Sequence, residues 1–384
     1  MDIRFPRSVA VAGVGEVDFR ALYKSNKQLT EPRDPYALGA EAFNNALSDA
    51  GLKKEDIDGV ICVRDIKKYE YFCYRVGIDK PRLVNGLESS GRQSGLALQY
   101  AAMAIHAGMA HTVAVVYSNN GRSAAFNYGG DGDGGDPYGI PHGMTSPGAQ
   151  VAAMFARYSH EFGANEEHLA KIAISNRYHA SMKENSIFYK PLTMEEYMGS
   201  RYITEPFRLY DYCLINDGAV CIILTSVERA RDLKKPVVEM IATSACGDMA
   251  SSYMKEDFFY KALRMVSTDL YSQAGVGPTD FDNLQIYDNF TATVMYSLEG
   301  IGLCERGGAG DYIDNVGITL GKCPRPVNTS GGHTSETYMQ GFNHQVEAVR
   351  QLRHECGERQ VPGSKLSLYI CAAPIISGHI FARR

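Results

Sequence analysis

Residues 49–63 read DAGLKKEDIDGVICV, and residues 273–288 read QAGVGPTDFDNLQIYD, a second version of the same pattern. Gly51 aligns with Gly275, and the acidic triplet that begins at Asp56 falls at the same offset of 224 residues. In both copies a helix is expected to end at the glycine, an acidic turn follows, and an apolar strand begins. Two matches that share one offset indicate a duplicated α/β unit.

Short apolar strands alternate with helical stretches on either side of the first copy. The expected elements are a strand SVAVAGVG at 8–15, a helix at 34–51, a strand DGVICV at 58–63, a helix at 96–109 and a strand HTVAVVYS at 111–118. This alternation is typical of α/β proteins. The stretch VVEMIA at 237–242 supplies the leading strand of the second unit. We therefore predict an N-terminal half, residues 1–235, with a long insertion at 120–215, and a C-terminal half, residues 236–384.

Composition excludes several functional classes. The chain has 384 residues, 45% of them apolar, and its net charge of −5 gives no concentrated basic patch for nucleic acid. No run of 18 apolar residues and no signal-peptide pattern occurs, so neither a membrane span nor secretion is expected. The nine cysteines are scattered without a C-x-x-C pair, which is typical of reduced thiols in the cytoplasm.

Two stretches carry candidate chemistry. IYDNF, residues 286–290, closes the duplicated strand, and NTSGGHTSETYMQGFNHQVEAVRQLR, residues 328–353, places a glycine turn and a histidine before a helix. Backbone N–H groups at such a turn can face an anion, so Gly331 and Gly332 are candidate substrate-binding residues. His333 beside the turn could donate to a developing oxyanion. A tight turn without any binding role explains the two glycines equally well.

These stretches together resemble the thiolase superfamily, in particular its sterol-carrier-protein-type branch. The resemblance covers nearly the whole chain. Its parts are NTSGGH at 328–333, QVEAVRQLRHECGERQV at 345–361, SRYITEPFRLYDYCLINDGAVCIILTSVERAR at 200–231 and LALQYAAMAIHAGMA at 96–110. The resemblance implies an α/β thiolase fold in which two halves form a duplicated five-layered α-β-α-β-α structure. It also implies a homodimeric core.

The chain departs from this family where a thiolase carries its nucleophile. The family has a cysteine at the start of the helix at 96–109, and that place falls near Gly91, beside Ser89 and Ser90. Cys371 in YICAAPIISG matches the second cysteine of the family. A thiolase needs a thiolate because it transfers an acyl group onto a new thiol, and serine is a much poorer nucleophile for that step.

Tyrosines stand at two further family positions. Tyr287 replaces the histidine that opens a conserved motif of this branch, and Asn289 lies in the same motif. After His333, the small residues of the family give way to Glu336 and Tyr338. The pattern resembles steroid side-chain aldolases, and the resemblance implies that Tyr287 and Tyr338 transfer protons while His333 serves as oxyanion donor.

The resemblance favours retro-aldol cleavage of a β-hydroxyacyl-CoA, with a steroid or another bulky acyl chain, as part of lipid metabolism. Coenzyme A enters as part of the substrate, and no metal or covalently bound cofactor is expected. The resemblance also implies a small partner protein with an OB-fold and a zinc ribbon.

Two alternatives stay open. The first is a true thiolase that uses Cys371 with Ser89 or Ser90 on a β-ketoacyl-CoA. The second is a non-catalytic subunit that binds acyl-CoA within a larger complex.

Overall fold

The computed structural model describes residues 9–88, 93–126, 140–248 and 254–384. The strands are β1 (Val9–Glu16), β2 (Gly59–Arg64), β3 (Leu83–Leu87), β4 (Thr112–Asn119), β5 (Tyr202–Thr204), β6 (Phe207–Arg208), β7 (Gly218–Ser226), β8 (Val238–Gly247), β9 (Asn283–Ile286), β10 (Leu366–Cys371) and β11 (Ile375–Arg383). The helices are α1 (Phe19–Ser25), α2 (Pro35–Ala50), α3 (Tyr69–Val76), α4 (Gln93–His106), α5 (Pro147–Phe162), α6 (Glu166–Ser181), α7 (Met194–Met198), α8 (Val227–Ala230), α9 (Tyr260–Ala274), α10 (Thr291–Gly300), α11 (Ala309–Asn315), α12 (Gly332–Ser335) and α13 (Phe342–Arg353).

The strand order shows the duplication directly. Nine strands lie in the order β3-β2-β4-β7-β1-β8-β11-β10-β9. In the first half β2 and β4 are parallel while β7 is antiparallel to both β4 and β1. In the second half β9 and β10 are parallel while β11 is antiparallel to both β10 and β8. The two halves join through a short antiparallel pairing of β1 with β8.

The helices form three layers around the two half-sheets. Helix α2 packs on β1, β4 and β7 of the first half, and α9 packs on β8 and β11 of the second. Helices α4 and α13 contact strands of both halves, so they lie between them. The α-β-α-β-α arrangement and the α/β class predicted from the sequence are confirmed. The boundary between residues 235 and 236 stays a prediction, and it falls in the connection between α8 and β8.

The repeated glycines end their helices as expected. Helix α2 begins at Pro35 after the N-cap Asp34, whose carboxylate accepts from the N–H of Tyr36. It ends at Gly51, which has a φ of 70°, and α9 ends at Gly275 with the same φ. A residue with a Cβ is strained in this left-handed conformation, which explains why glycine stands at both ends.

The described part of the insertion packs on the second half. Apolar side chains of α5 and α6, among them Val151, Phe155 and Leu169, share a buried cluster with those of β9, β10 and α10. The segment that follows α6 packs on the residues that follow the glycine turn. The N–H of Ile187 donates to the carbonyl of Glu336, and the N–H of Phe188 donates to the carbonyl of Ser335. The insertion therefore forms one wall of the candidate site. Among the described helices, none combines the length and apolar character that a membrane crossing requires.

Candidate active site

Two parallel strands bring the first site residues together. In the pairing of β9 with β10, Ile286 lies opposite Ile370, and the N–H of Tyr287 donates to the carbonyl of Ile370 at 2.9 Å. Tyr287 and Cys371 therefore leave neighbouring strands at the same edge of the sheet. Both side chains are fully buried.

The glycine turn folds around a carboxylate of the protein itself. Gly331 and Gly332 have φ values of 104° and 58°, and a Cβ on Gly332 would lie 2.4 Å from Oδ2 of Asp288. The N–H groups of His333 and Thr334 donate to Asp288 at 2.8 and 3.3 Å. The anion at this turn is thus Asp288. Substrate binding by Gly331 and Gly332 stays a prediction, and these contacts give the glycines a role in positioning His333.

The two predicted tyrosines meet at their hydroxyl groups. The Oη atoms of Tyr287 and Tyr338 are 3.1 Å apart, although the residues are 51 positions apart in the chain. Tyr287 is fully buried, whereas Tyr338 is partly exposed and forms the accessible side of the pair. The N–H of Tyr338 donates to Oδ1 of Asn216 at 2.8 Å, and Asn216 also donates to Thr337 at 2.8 Å. Asn216, at the centre of the middle segment, therefore fixes the loop that carries Tyr338.

His333 lies between the two phenols. Its ring centroid is 4.6 Å from that of Tyr287 and 4.8 Å from that of Tyr338, with both pairs nearly perpendicular. Nε2 accepts from the N–H of Gly341 at 2.9 Å, so the ring proton belongs on Nδ1, which lies 3.5 Å from Oδ1 of Asp288. Burial lowers the pKa of His333 well below its ordinary value, and the neighbouring His344 lowers it further. The ring is therefore neutral.

One ring nitrogen of His333 is bonded and the other is not. Nε2 accepts from the N–H of Gly341, whereas Nδ1 has no hydrogen-bond partner among the described residues. The ring is completely buried and packs against both phenols. A role of His333 in binding an oxyanion stays a prediction without a supporting contact among the described residues.

The sequence interpretation missed Asp288, Asn343 and His344, which build this site. Asp288 accepts from Nε2 of His344 at 2.9 Å and from the amide of Asn176 at 2.8 Å, in addition to the glycine turn. Asn343 places its Oδ1 3.1 Å from Nε2 of His333. Asp288 directly follows Tyr287, and the stretch GFNHQ contains both Asn343 and His344, so proximity to the quoted motifs was the available signal.

One cluster of the site has the composition of a metal site. Asp288, His333 and His344 each place one ligand atom within 4.8 Å of the others. Hydrogen bonds already occupy the carboxylate of Asp288, and two of its donors are uncharged amides. Nδ1 of His333 and Nδ1 of His344 are buried without a hydrogen-bond partner among the described residues. The expectation that no metal takes part stays a prediction.

The remaining predicted residues have separate places. Asn289 is buried, and its Oδ1 accepts from the N–H of Phe290 and the hydroxyl of Thr293 at the start of α10. Cys371 lies beside the phenol of Tyr369. Ser89 and Ser90 lie outside the described residues.

A second thiol near the site is not suited to nucleophilic attack. The N–H of Cys213 donates to the carbonyl of Asn289 at 2.9 Å. Burial raises the pKa of the Cys213 thiol strongly, and the nearby Asp288 raises it further. The thiol is therefore protonated at neutral pH, whereas acyl transfer needs a thiolate.

Comparison with known proteins agrees with this geometry. A family described as thiolase C-terminal domain-like matches residues 244–382. The 17-hydroxy-3-oxo-4-pregnene-20-carboxyl-CoA lyase of Mycobacterium tuberculosis is 36% identical over 360 residues, which cover 90% of this chain and 91% of the relative. The steroid side-chain-cleaving aldolase of Thermomonospora curvata is 34% identical, with 91% of each chain covered. The chain belongs to the family of thiolase-fold aldolases.

Solved structures also support the membership of this chain in the family of thiolase-fold aldolases. The Ltp2-ChsH2(DUF35) aldolase superposes with a TM-score of 0.88 at 30% identity, and the match covers 99% of this chain and 98% of that one. Human mitochondrial 3-ketoacyl-CoA thiolase superposes with a TM-score of 0.71 at 14% identity over the full length of both chains, which shows the shared fold. The family, the fold and the aldolase class predicted from the sequence are thus confirmed.

Proposed function

We propose that this aldolase cleaves the bond between the α- and β-carbons of a β-hydroxyacyl-CoA, and that Tyr287 and Tyr338 move the two protons of the reaction. The observation that carries the proposal is the hydrogen bond of 3.1 Å between the two phenol oxygens. The first substrate to test carries the steroid skeleton named for the mycobacterial relative. That relative is 36% identical over most of the chain.

The reaction balances without free coenzyme A. One phenol, as the phenolate, removes the proton of the β-hydroxyl group, and the Cα–Cβ bond breaks as the oxygen forms a carbonyl. The bonding electrons pass to Cα and give a thioester enolate, to which the second phenol donates its proton. The products are a ketone and a shorter acyl-CoA. The thioester stays intact, so no thiol nucleophile is required.

The phenol pair can also restore its own starting state. After one turnover the basic phenol has gained a proton and the acidic phenol has lost one. Transfer across the hydrogen bond between Tyr287 and Tyr338 returns both to their original forms. A free phenol titrates near pH 10, and a hydroxyl that donates to a phenolate stabilises it.

The immediate surroundings of the pair suit this chemistry. The neutral ring of His333 contacts both phenols and packs between them. Tyr338 provides the exposed side at which a bulky substrate can approach, while Tyr287 is held in the interior. The coenzyme A is thus part of the substrate and leaves with the product.

We also infer that the chain works with a small partner protein. The similar solved structure is named as an aldolase with a DUF35 component, which supports a partner for this chain. That the partner combines an OB-fold with a zinc ribbon stays a prediction. A homodimeric core and a cytoplasmic location remain predictions of the same kind. Co-expression with a DUF35-type protein and size-exclusion chromatography test the assembly.

The experiment compares three tyrosine variants on 17-hydroxy-3-oxo-4-pregnene-20-carboxyl-CoA, with the 17-ketone measured by chromatography. Tyr287→Phe and Tyr338→Phe should each lower kcat by about 10²-fold to 10⁴-fold, the usual contribution of general acid–base catalysis. Because both phenols serve one proton cycle, the double variant should be little worse than either single one.

Tyr296→Phe is the matched control. Tyr296 is equally buried, lies in α10, and its hydroxyl has no hydrogen-bond partner among the described residues. This variant should keep the activity of the parent chain. Full activity of Tyr287→Phe would refute the assignment and would support the alternative in which this chain is a non-catalytic subunit of a larger complex.

A further inference from the structure

A buried ion pair includes a residue of the loop that carries Tyr338. Glu336 precedes Tyr338 by two residues and is fully buried. One oxygen of Glu336 pairs with Nζ of Lys183, from the segment that follows α6. The other accepts from the hydroxyl of Ser330 and from Nδ2 of Asn343 at 3.1 Å.

The charge on this pair is maintained by a second carboxylate. Lys183 is also buried, and its Nζ lies 3.4 Å from Oε1 of Glu16, whose other oxygen pairs with Arg350 at 2.6 Å. Burial alone would lower the pKa of Lys183, but Glu16 and Glu336 together outweigh it and raise the pKa of the ammonium. The lysine is therefore charged at neutral pH. Buried ion pairs add little net stability because desolvation offsets their attraction. The orientation of neighbouring groups therefore explains the presence of this ion pair better than a gain in stability does.

Contacts lead from the ion pair to the phenols. Nδ2 of Asn343 donates to Glu336 and to the carbonyl of Thr337, at 3.1 and 3.2 Å. The carbonyl of Thr337 and the N–H of Tyr338 belong to one peptide group, and this N–H donates to Oδ1 of Asn216 at 2.8 Å. The two asparagines therefore fix the peptide group that carries Tyr338, whose phenol oxygen lies 3.1 Å from that of Tyr287.

We propose that the Lys183–Glu336 ion pair is a positioning element for catalysis: it fixes Asn343, and through Asn343 it holds the peptide group that carries Tyr338. The proposal rests on the proposed function, since it assumes that the phenol pair carries out the cleavage. It adds Lys183, which the insertion contributes, and Glu336 to the residues on which turnover depends.

The test uses two variants of different kinds. Glu336→Gln removes the charge with little change of shape, and Asn343→Ala removes the link to the peptide group of Tyr338 while the ion pair stays intact. Each should lower kcat by about 10-fold to 100-fold with KM within about twofold, because a misplacement near 1 Å costs turnover more than binding. The double variant should be no worse than the more impaired single variant, because both interrupt one path.

Glu347→Gln is the control for the loss of a buried carboxylate. Glu347 is fully buried and pairs with Arg359 at 3.2 Å, but it does not bond Asn343 or His333. Glu347→Gln should lower the melting temperature and leave kcat per folded molecule within about twofold, since its loss affects stability and not alignment. If Glu336→Gln does not fold, Asn343→Ala alone decides the question.

The outcomes separate this proposal from the proposed function. Unchanged kcat in Asn343→Ala, or equal effects of Glu336→Gln and Glu347→Gln on kcat, would overturn the positioning role. If those results came together with a loss of activity in Tyr287→Phe, the aldolase assignment would stand and the positioning role alone would fail. Full activity of Tyr287→Phe would instead contradict the proposed function itself.

Discussion

Asp288→Asn should both destabilise this aldolase and disturb its site. Oδ1 of Asp288 accepts from the N–H of His333 and from Nε2 of His344, while Oδ2 accepts from Asn176 and from the N–H of Thr334. An asparagine replaces one of these oxygens with an NH₂ group. Whichever oxygen is replaced, the two groups that donated to it then face the NH₂ group, which is itself a donor.

The size of the effect follows from these bonds. A hydrogen bond to a charged group contributes about 1.5–3 kcal/mol, so the loss of two costs about 3–5 kcal/mol after partial relaxation. Unfolding entropy of about 2.1 cal/mol/K per residue, over the 384 residues of the chain, converts this into a fall in melting temperature of about 4–6 °C. The turn that carries His333 loses its anchor, so kcat should fall by about 10-fold or more.

Circular dichroism melts at pH 7.5 and the ketone-release assay measure both effects. Asp311→Asn is the control, since Asp311 is exposed on the helix α11. Its melting temperature should agree with the parent within about 1 °C, as is usual for surface substitutions. An Asp288→Asn protein with unchanged melting temperature and unchanged kcat would show that the carboxylate does not organise the site.

Three further outcomes are expected. Gly332→Ala should lower the melting temperature by several degrees and reduce turnover, because its Cβ would lie 2.4 Å from Oδ2 of Asp288; unchanged values would contradict the close approach of the turn to this carboxylate. Cys371→Ala should leave cleavage within about threefold, since no step uses a thiolate, and loss of activity would favour the thiolase alternative. Acidification from pH 7 to 4 should lower the melting temperature, because burial lowers the folded-state pKa of His179 to about 4 and of His379 to about 3. In the unfolded chain both histidines have the ordinary pKa of about 6.5, so they bind protons that the folded chain does not bind. Stability is therefore lost as the pH falls. A melting temperature that is flat over this range would contradict the burial of both rings.

The duplication could be predicted from the sequence because it rests on local signals. Gly51 and Gly275 end helices through a backbone conformation that glycine prefers, and this preference is visible in the residue type itself. The alternation of apolar strands and helices then indicated the α/β class. The extra edge strand β3, which has no counterpart after β9, had no such signal, and its residues are half-buried or exposed.

The site could be predicted in part. Tyr287 was found because it ends a strand that the repeat defines, and Tyr338 because it follows the family's histidine at a recognisable place. The Asp288 contacts could not be predicted, because they depend on how a glycine turn 45 residues away folds back onto the strand end. The pairing of Lys183 with Glu336 spans 153 residues and depends on the position of the insertion, for which the sequence held no local pattern.

The most direct test of the central claim is the stoichiometry of products when free coenzyme A is absent. The purified chain with its co-purified partner is incubated with 17-hydroxy-3-oxo-4-pregnene-20-carboxyl-CoA, and all thioesters and ketones are measured by mass spectrometry. Retro-aldol cleavage predicts one 17-ketone and one three-carbon acyl-CoA for each substrate consumed, with no dependence on added coenzyme A. Turnover of a β-ketoacyl-CoA alone, and only after coenzyme A is added, would contradict the account and identify the protein as a thiolase.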